Sequence, residues 1–510
     1  MEKLKELIHF VNKQKIARIE VMGNPSNYSG KMKQLYNGVI EGKYRTDEEA
    51  MEDLYRDKLV TKSYKKIKYR LQNRLINTVF FIDVNKPNFN ETQRAYYISQ
   101  KNVAAIDILL GRGARKTAIE LAERVVRQTM KFEYTEMSLN LLKKLSRHYG
   151  LMEKNDKKFK KYSLLTEKYL EIFNAETIAE QFHTKLGILL DNRSLISDEV
   201  INEAILYSDK LKIYLNRVDS NRFLMLAYLI FSSRYEIIHD YKNVLKVCDE
   251  ALKRFAEKVD KRPISIFVFT SRKIDYLIQV KQYDEAELAI INALKLVPEG
   301  KISWLATNER YVRMCFHMKE YQKAFDIFKK ITINYGFNSA YNKTIEIWRT
   351  YEAYLKFFIE INKIETNKLK EVSNKKFRIN KFLNQVPTFS SDKRGHNIPI
   401  LIIQVLFLLQ QRKYNRIIDK VEALNAYCYR HLKKDDTFRS NCFIKMLLLL
   451  PKCDFHRIAV ERKSKILREK LQSVPLEIAR QSAEIEIVPY EDLWEIVMDM
   501  LDDKFHKSRK

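Results

Sequence analysis

Residues 264–298 read ISIFVFTSRKIDYLIQVKQYDEAELAIINALKLVP. Apolar residues recur at helical spacing up to Val280, a short polar turn follows, and Tyr283 opens a second apolar helix that Pro298 closes. The same arrangement recurs on either side. Phe223–Phe255, Trp304–Tyr335 and Ile398–Leu432 each place a tyrosine, Tyr241, Tyr321 and Tyr414, at the start of a second helix. Helix pairs repeated along a chain cannot bury their apolar faces alone and stack on their neighbours, the signature of a helical solenoid. The expected fold is all-α, and solenoids usually bind rather than catalyse.

In each pair small or apolar residues stand three, seven and ten positions after the tyrosine. They are Ala286, Ile290 and Ala293; Ala324, Phe328 and Ile331; Val244, Cys248 and Ala251; Ile417, Val421 and Leu424. This pattern resembles the tetratricopeptide repeat (TPR). The departures are that the small residue of the family's first helix is Ser232 in one copy but Ile274, Val312 and Val405 in the others. The tyrosines are also spaced more widely than the family's usual unit. The resemblance covers Phe223–Tyr335 and recurs near 400–432; it implies an irregular TPR-like α-solenoid.

The 510 residues include only 11 Gly and 9 Pro, so tight turns are scarce and long helices with short connections are expected. The 29 Tyr and 27 Phe suffice to lock helix–helix contacts, and an apolar content of 45% argues against disorder. The net charge of +28 attracts phosphate backbones or an acidic protein. Cys248, Cys315, Cys428, Cys442 and Cys453 are odd in number, and three lie on apolar helical faces, which reads as core thiols in a reducing compartment. The start of the chain lacks an apolar signal core, and the apolar run Ile398–Leu409 is too short to span a bilayer. A cytoplasmic protein with no membrane partner is expected.

Residues 1–95 read as a separate helical domain. Met22–Met32 is turn-rich, and Thr46-Asp47-Glu48-Glu49 is a capping box opening a helix that ends near Tyr55. After a polar turn, Ser63 begins a longer helix with Tyr64, Ile67, Leu71, Leu75 and Val79 on one stripe. Its other face carries Lys65, Lys66, Lys68, Arg70 and Arg74. Two helices, a short turn and a basic second helix resemble a helix-turn-helix, so these five are candidate contacts to phosphate or to an acidic partner. Thr78–Val84 reads as a β-like run or as the helix's apolar end.

Helical repeats are expected over 96–360, with Lys154–Lys161 as a solvated connection. A basic linker and irregular loop cover 361–399, and further repeats with a cap fill 400–510. Within the loop, Ser390, Ser391, Asp392, Lys393, Arg394 and His396 are dense polar chemistry, a possible partner loop. The last helix, opened by Pro489, puts Leu493, Ile496, Val497, Met500 and Leu501 on one face. Glu491, Asp492, Glu495, Asp499, Asp502 and Asp503 form the expected polar outer face of a terminal helix.

Motifs for chemistry are weak. Gly30-Lys31 and Gly111–Thr117 lack the residues and the strand that a phosphate loop needs. Cys428-x-x-His431 and Cys453-x-x-His456 suit zinc chemically, but a helix of about 22 Å, at ~1.5 Å per residue, separates the pairs. No catalytic residue, cofactor or metal site is assigned. The leading expectation is a non-enzymatic scaffold or adaptor for a protein partner. The alternatives are a nucleic-acid-binding regulator using the basic N-terminal helix, and an effector or enzyme subunit using the 384–399 loop.

Overall fold

A computed structural model describes residues 1–13, 30–56, 62–85, 89–191, 198–258, 263–333, 342–365, 397–431, 438–479, 481 and 483–506. These residues form 21 α-helices and no strand; one isolated bridge joins His456 and Asp502. The all-α expectation holds. The chain divides into two compact units, Met1–Phe173 and Asn174–Lys510.

The first unit begins with α1 (Glu2–Lys13), α2 (Gly30–Ile40), α3 (Asp47–Tyr55) and α4 (Lys62–Val79). Leu4, Ile8, Met32, Leu35, Met51, Leu54, Leu71 and Leu75 share one core. The Thr46 hydroxyl accepts from the Glu49 amide at 3.3 Å, as the capping box requires. Its reciprocal half is shifted, because Glu49 Oε2 accepts from the Arg45 amide at 2.5 Å. Thr78–Val84 forms no strand; α4 continues to Val79 and ends in a turn. Then follow α5 (Glu91–Gly111), α6 (Arg115–Lys131), α7 (Thr135–Leu151) and α8 (Asp156–Asp191), which crosses the division. Lys154–Lys161 is therefore mostly helix, and Lys158 is no mere solvated residue. Its Nζ reaches Glu123 Oε1 at 3.3 Å and the Tyr149 hydroxyl at 3.0 Å, and Tyr149 and Tyr162 donate to the same Glu123 oxygen.

The second unit holds α9 (Asp198–Lys212) and the expected pairs: α10 (Asn221–Ile237) with α11 (Tyr241–Ala256), α12 (Pro263–Gln279) with α13 (Tyr283–Leu296), and α14 (Ile302–His317) with α15 (Tyr321–Ile333). After α16 (Asn342–Glu360) come α17 (Asn397–Gln410), α18 (Tyr414–His431), α19 (Phe438–Lys452), α20 (Arg457–Ser473) and α21 (Tyr490–Met500). Successive helices pack on one another, as in a solenoid. All four tyrosines are the first residues of their helices. The residues three, seven and ten positions on are buried in every copy, and so are Ser232, Ile274, Val312 and Val405. The apolar run Ile398–Leu409 is the core helix α17, and no helix among the described residues is long and apolar enough to cross a membrane.

One turn geometry joins the pairs. His239, Lys281, Lys319 and Arg412 are left-handed, with φ of 58°, 59°, 60° and 53°. The next residue donates its N–H to the carbonyl five positions back: Asp240 to Tyr235, Gln282 to Leu277, Glu320 to Cys315 and Lys413 to Leu408, at 2.8–2.9 Å. This closes the orphan carbonyls of the first helix in a Schellman motif. The turns at Gly113 and Glu133 repeat it, with Ala114 donating to Leu109 and Tyr134 to Thr129. The buried positions repeat too: Ala118, Ala122 and Val125 in α6, and Ser138, Leu142 and Leu145 in α7. The repeat grammar thus extends into the first unit, where Arg115 and Thr135 replace the tyrosine that marks it in the sequence.

Candidate functional site

The described residues between α20 and α21, 474–479, 481 and 483–489, cross the row of helix-pair turns. Gln279, at the end of α12, is buried and grips main chain. Its Nε2 donates to the Leu476 carbonyl at 2.7 Å and to the Gln481 carbonyl at 3.0 Å, and its Oε1 accepts from the Ala483 amide at 2.8 Å. A primary amide with two donors and an acceptor is thereby saturated by backbone alone. Tyr241, the marker of the first pair, donates to the Ala479 carbonyl at 2.7 Å. His317 Nε2 lies 2.9 Å from the Glu486 carbonyl, which can only accept, so Nε2 carries the proton.

Charge adds to this grip. Lys281 pairs with Glu477 at 2.9 Å, Arg313 stands 3.8 Å from Glu484, and Lys319 pairs with Asp492 at 2.9 Å. The left-handed turn residues Lys281 and Lys319 are thus cationic contacts to the crossing segment and to α21. Arg439, at the start of α19, holds Glu486 and Glu491 at 2.6 and 2.7 Å. The outer face of α21 is therefore not all free: Glu491 and Asp492 face Arg439 and Lys319, Glu495 is exposed yet 3.6 Å from Lys319, and Asp499 is exposed. Leu493, Ile496, Val497 and Leu501 are buried as expected.

The basic helix is placed differently from the expectation in part. Lys65, Lys66 and Arg70 are exposed on α4. Lys68 is half-buried and committed to Asp47 at 2.8 Å, beside the Tyr64 hydroxyl at 2.6 Å. Burial would raise the Asp47 carboxyl, but Lys68 and Tyr64 hold it down at about 2. Arg74 is half-buried and has interactions of its own within the fold. α4 packs chiefly along α1 and α2. Ser390, Asp392, Lys393, Arg394 and His396 lie outside the described residues.

Cys248, Cys315, Cys442 and Cys453 are buried free thiols, and burial pushes Cys248 and Cys315 up to about 12. Such thiols are protonated and inert. α19 is continuous between the two Cys–His pairs, and His456 Nδ1 caps α20 by accepting from the Ala459 amide at 3.4 Å. Among the described residues no three potential ligands gather around a metal position. Set against known proteins, the chain matches no family model, no curated protein and no solved structure. The crossing segment was missed in the sequence because its contacts span some 200 residues; only the isolated Gln279 among apolar neighbours hinted at it.

Proposed function

We propose that the chain is a non-enzymatic, TPR-like cytoplasmic scaffold or adaptor that binds a protein partner within a larger complex. The observation that carries this reading is the grip on the segment from Leu476 to Ala479, Gln481 and Ala483 to Glu486. Polar side chains at helix ends hold an irregular stretch of polypeptide through its main chain, and cations beside them answer its acids. This is the chemistry by which a helical repeat captures a partner's extended segment, used here within the chain. The test is purification from the native source with and without nuclease, followed by cross-linking. A stoichiometric protein that survives nuclease and cross-links to the repeat helices supports the scaffold; recovery of the chain alone under both conditions counts against it.

A second reading, a nucleic-acid-binding regulator, is favoured by one feature. α4 contains no acidic residue from Lys62 to Val79, and Lys65, Lys66 and Arg70 are exposed. The variant K65E/K66E/R70E would lose any duplex binding seen at low salt, with the salt slope reduced in proportion to the lost phosphate contacts.

A further inference from the structure

The first unit carries a chain of aromatic rings in which Tyr96 and Tyr97 are exposed and Phe89 and Tyr134 half-buried. Phe89 meets Tyr97 edge to face at 5.7 Å, Tyr97 meets Tyr96 at 5.7 Å, and Tyr96 meets Tyr134 at 5.4 Å. Tyr96 and Tyr97 are 42% and 46% exposed, although each carries a large apolar ring. Lys101, one turn beyond Tyr97 on α5, sits 5.9 Å from the ring centre of Phe81, itself 57% exposed. Contiguous exposed rings on a folded surface mark a contact site.

The platform is preorganised. A full capping box fixes the start of α5: the Asn90 side chain accepts from the Gln93 amide at 2.8 Å, and the Gln93 side chain accepts from the Asn90 amide at 3.1 Å. The Tyr134 hydroxyl donates to the Thr92 carbonyl at 2.5 Å and ties the α6–α7 turn to that first turn of α5. Glu91, in the first turn of α5, is 3.6 Å from Lys131. The start of α5, which carries Tyr96 and Tyr97, and the Tyr134 ring beside them are thus fixed within the fold.

We infer that Phe81, Phe89, Tyr96, Tyr97 and Lys101 form a stacking platform for single-stranded nucleic acid. Every unpaired base has a face to lay on a ring, and each stacked base contributes about fivefold or more to affinity whatever its identity. Cations beside the rings then meet phosphates, in a chain whose net charge is +28. A duplex hides its base faces in its own stack and gains nothing from the rings. A proline-rich peptide could use the rings but not the cations, so phosphate is the better match. The inference deepens the nucleic-acid reading of α4 and rests on it only for the sign of the charge.

The experiment is anisotropy of labelled oligo-dT, a mixed-sequence RNA strand, a DNA duplex and a polyproline peptide against the full chain, at several salt concentrations. Single strands are expected to bind more tightly than duplex. Y96A/Y97A should weaken single-strand binding about tenfold or more, and leave any duplex binding through α4 unchanged. Y96F/Y97F should keep the affinity, since it keeps the rings; the helical circular dichroism of both variants checks folding. Equal binding of single strand and duplex, or no effect of Y96A/Y97A, overturns the platform while leaving the α4 reading alive. Preference for polyproline, or no binding of any strand at low salt, overturns the platform as well; no binding of strand or duplex removes both.

Discussion

Arg439 and Glu486 form a two-point ion pair, Nη2 to Oε1 at 2.6 Å and Nε to Oε2 at 2.9 Å, with both side chains sealed from solvent. Arg439 also donates to the carbonyls of Leu471 and Val474 at 3.1 and 2.8 Å, so it fastens the end of α20 as well. Glu486 accepts further from Gln481 Nε2 at 3.0 Å and from the Tyr490 amide at 2.9 Å. Burial pushes the Glu486 carboxyl up, while Arg439 and these donors favour its charged form. With every lone pair answered, the pair is held as ions.

Removing one partner of such a pair strands the other charge in the interior. Arg439→Met is therefore expected to destabilise the second unit by about 3–5 kcal/mol in denaturant titration. R439M/E486M should recover a large part of that loss, because no charge is left buried. A single variant within about 1 kcal/mol of the parent would show that Glu486 escapes to solvent or takes up a proton cheaply.

Gln279 offers a separate test of the crossing segment. Gln279→Leu leaves two carbonyls and one amide without their partners in a buried place, a loss of about 2–4 kcal/mol. The loss should be local first. Cleavage by a glutamate-specific protease after Glu477 and Glu484 is expected to appear in the variant under native conditions and to be slow in the parent. Equal digestion of the two would mean that the Gln279 contacts do not hold the segment.

The helix pairs were legible because burial against sequence neighbours imposes a period, and four tyrosines mark it. Ala286 and Ile290 are buried because a close contact between adjacent helices demands it, and that demand is written locally. The turns were half legible. Left-handed residues are ordinarily glycine, yet Lys281, Lys319 and Arg412 carry that conformation with nothing in their identity to announce it. The partners of Gln279 and Arg439 were not legible, because a hydrogen bond across many residues leaves no local pattern. Lys68 shows the same limit on the candidate site: its charge reads as available in the sequence, but Asp47 from the previous helix takes it. The loop candidates at 390–396 lie outside the described residues.

His317 sets an acid limit. It is buried, and burial, with Arg313 next, lowers its pKa to about 3. In the unfolded chain a histidine titrates near 6.5. Above that value both states are neutral, and the group adds no pH dependence. Below it the unfolded state binds a proton that the folded state refuses, so stability falls as pH falls, by up to about 1.4 kcal/mol per pH unit, until about pH 3. Asp47 adds its own loss only below about pH 4, as the unfolded carboxyl protonates. Stability measured between pH 6.5 and 4 should therefore decline in the parent and decline less in His317→Gln. An identical slope in both would assign the acid sensitivity to other groups.

Ala286 lies at a close helix contact with no exposed surface, while Leu288 on the same helix is 64% exposed. Ala286→Arg must force a long cation between packed helices and is expected to lower the melting temperature by several degrees or more. Leu288→Arg should leave it nearly unchanged. The contrast separates packing from any effect of added charge; equal shifts would place Ala286 outside the contact.

The turns predict a pair of opposite effects. Lys154 is exposed, with φ of 52°, and lies three residues past α7 in the left-handed region, where a side chain costs about 1–2 kcal/mol. Glycine removes that strain but adds about 0.5–1 kcal/mol of unfolded-state entropy. Lys154→Gly is expected to stabilise the first unit by about 0.5–1 kcal/mol net. Gly113, with φ of 84°, is the left-handed residue of the turn between α5 and α6, and a Cβ there meets nothing within 4 Å. Gly113→Ala then reverses the balance, adding backbone strain and removing unfolded-state entropy without a new contact, and should destabilise by about the same amount. Thermal melting of the two variants beside the parent reads both signs. A Lys154→Gly variant no more stable than the parent would mean that its left-handed backbone carries no strain for glycine to relieve.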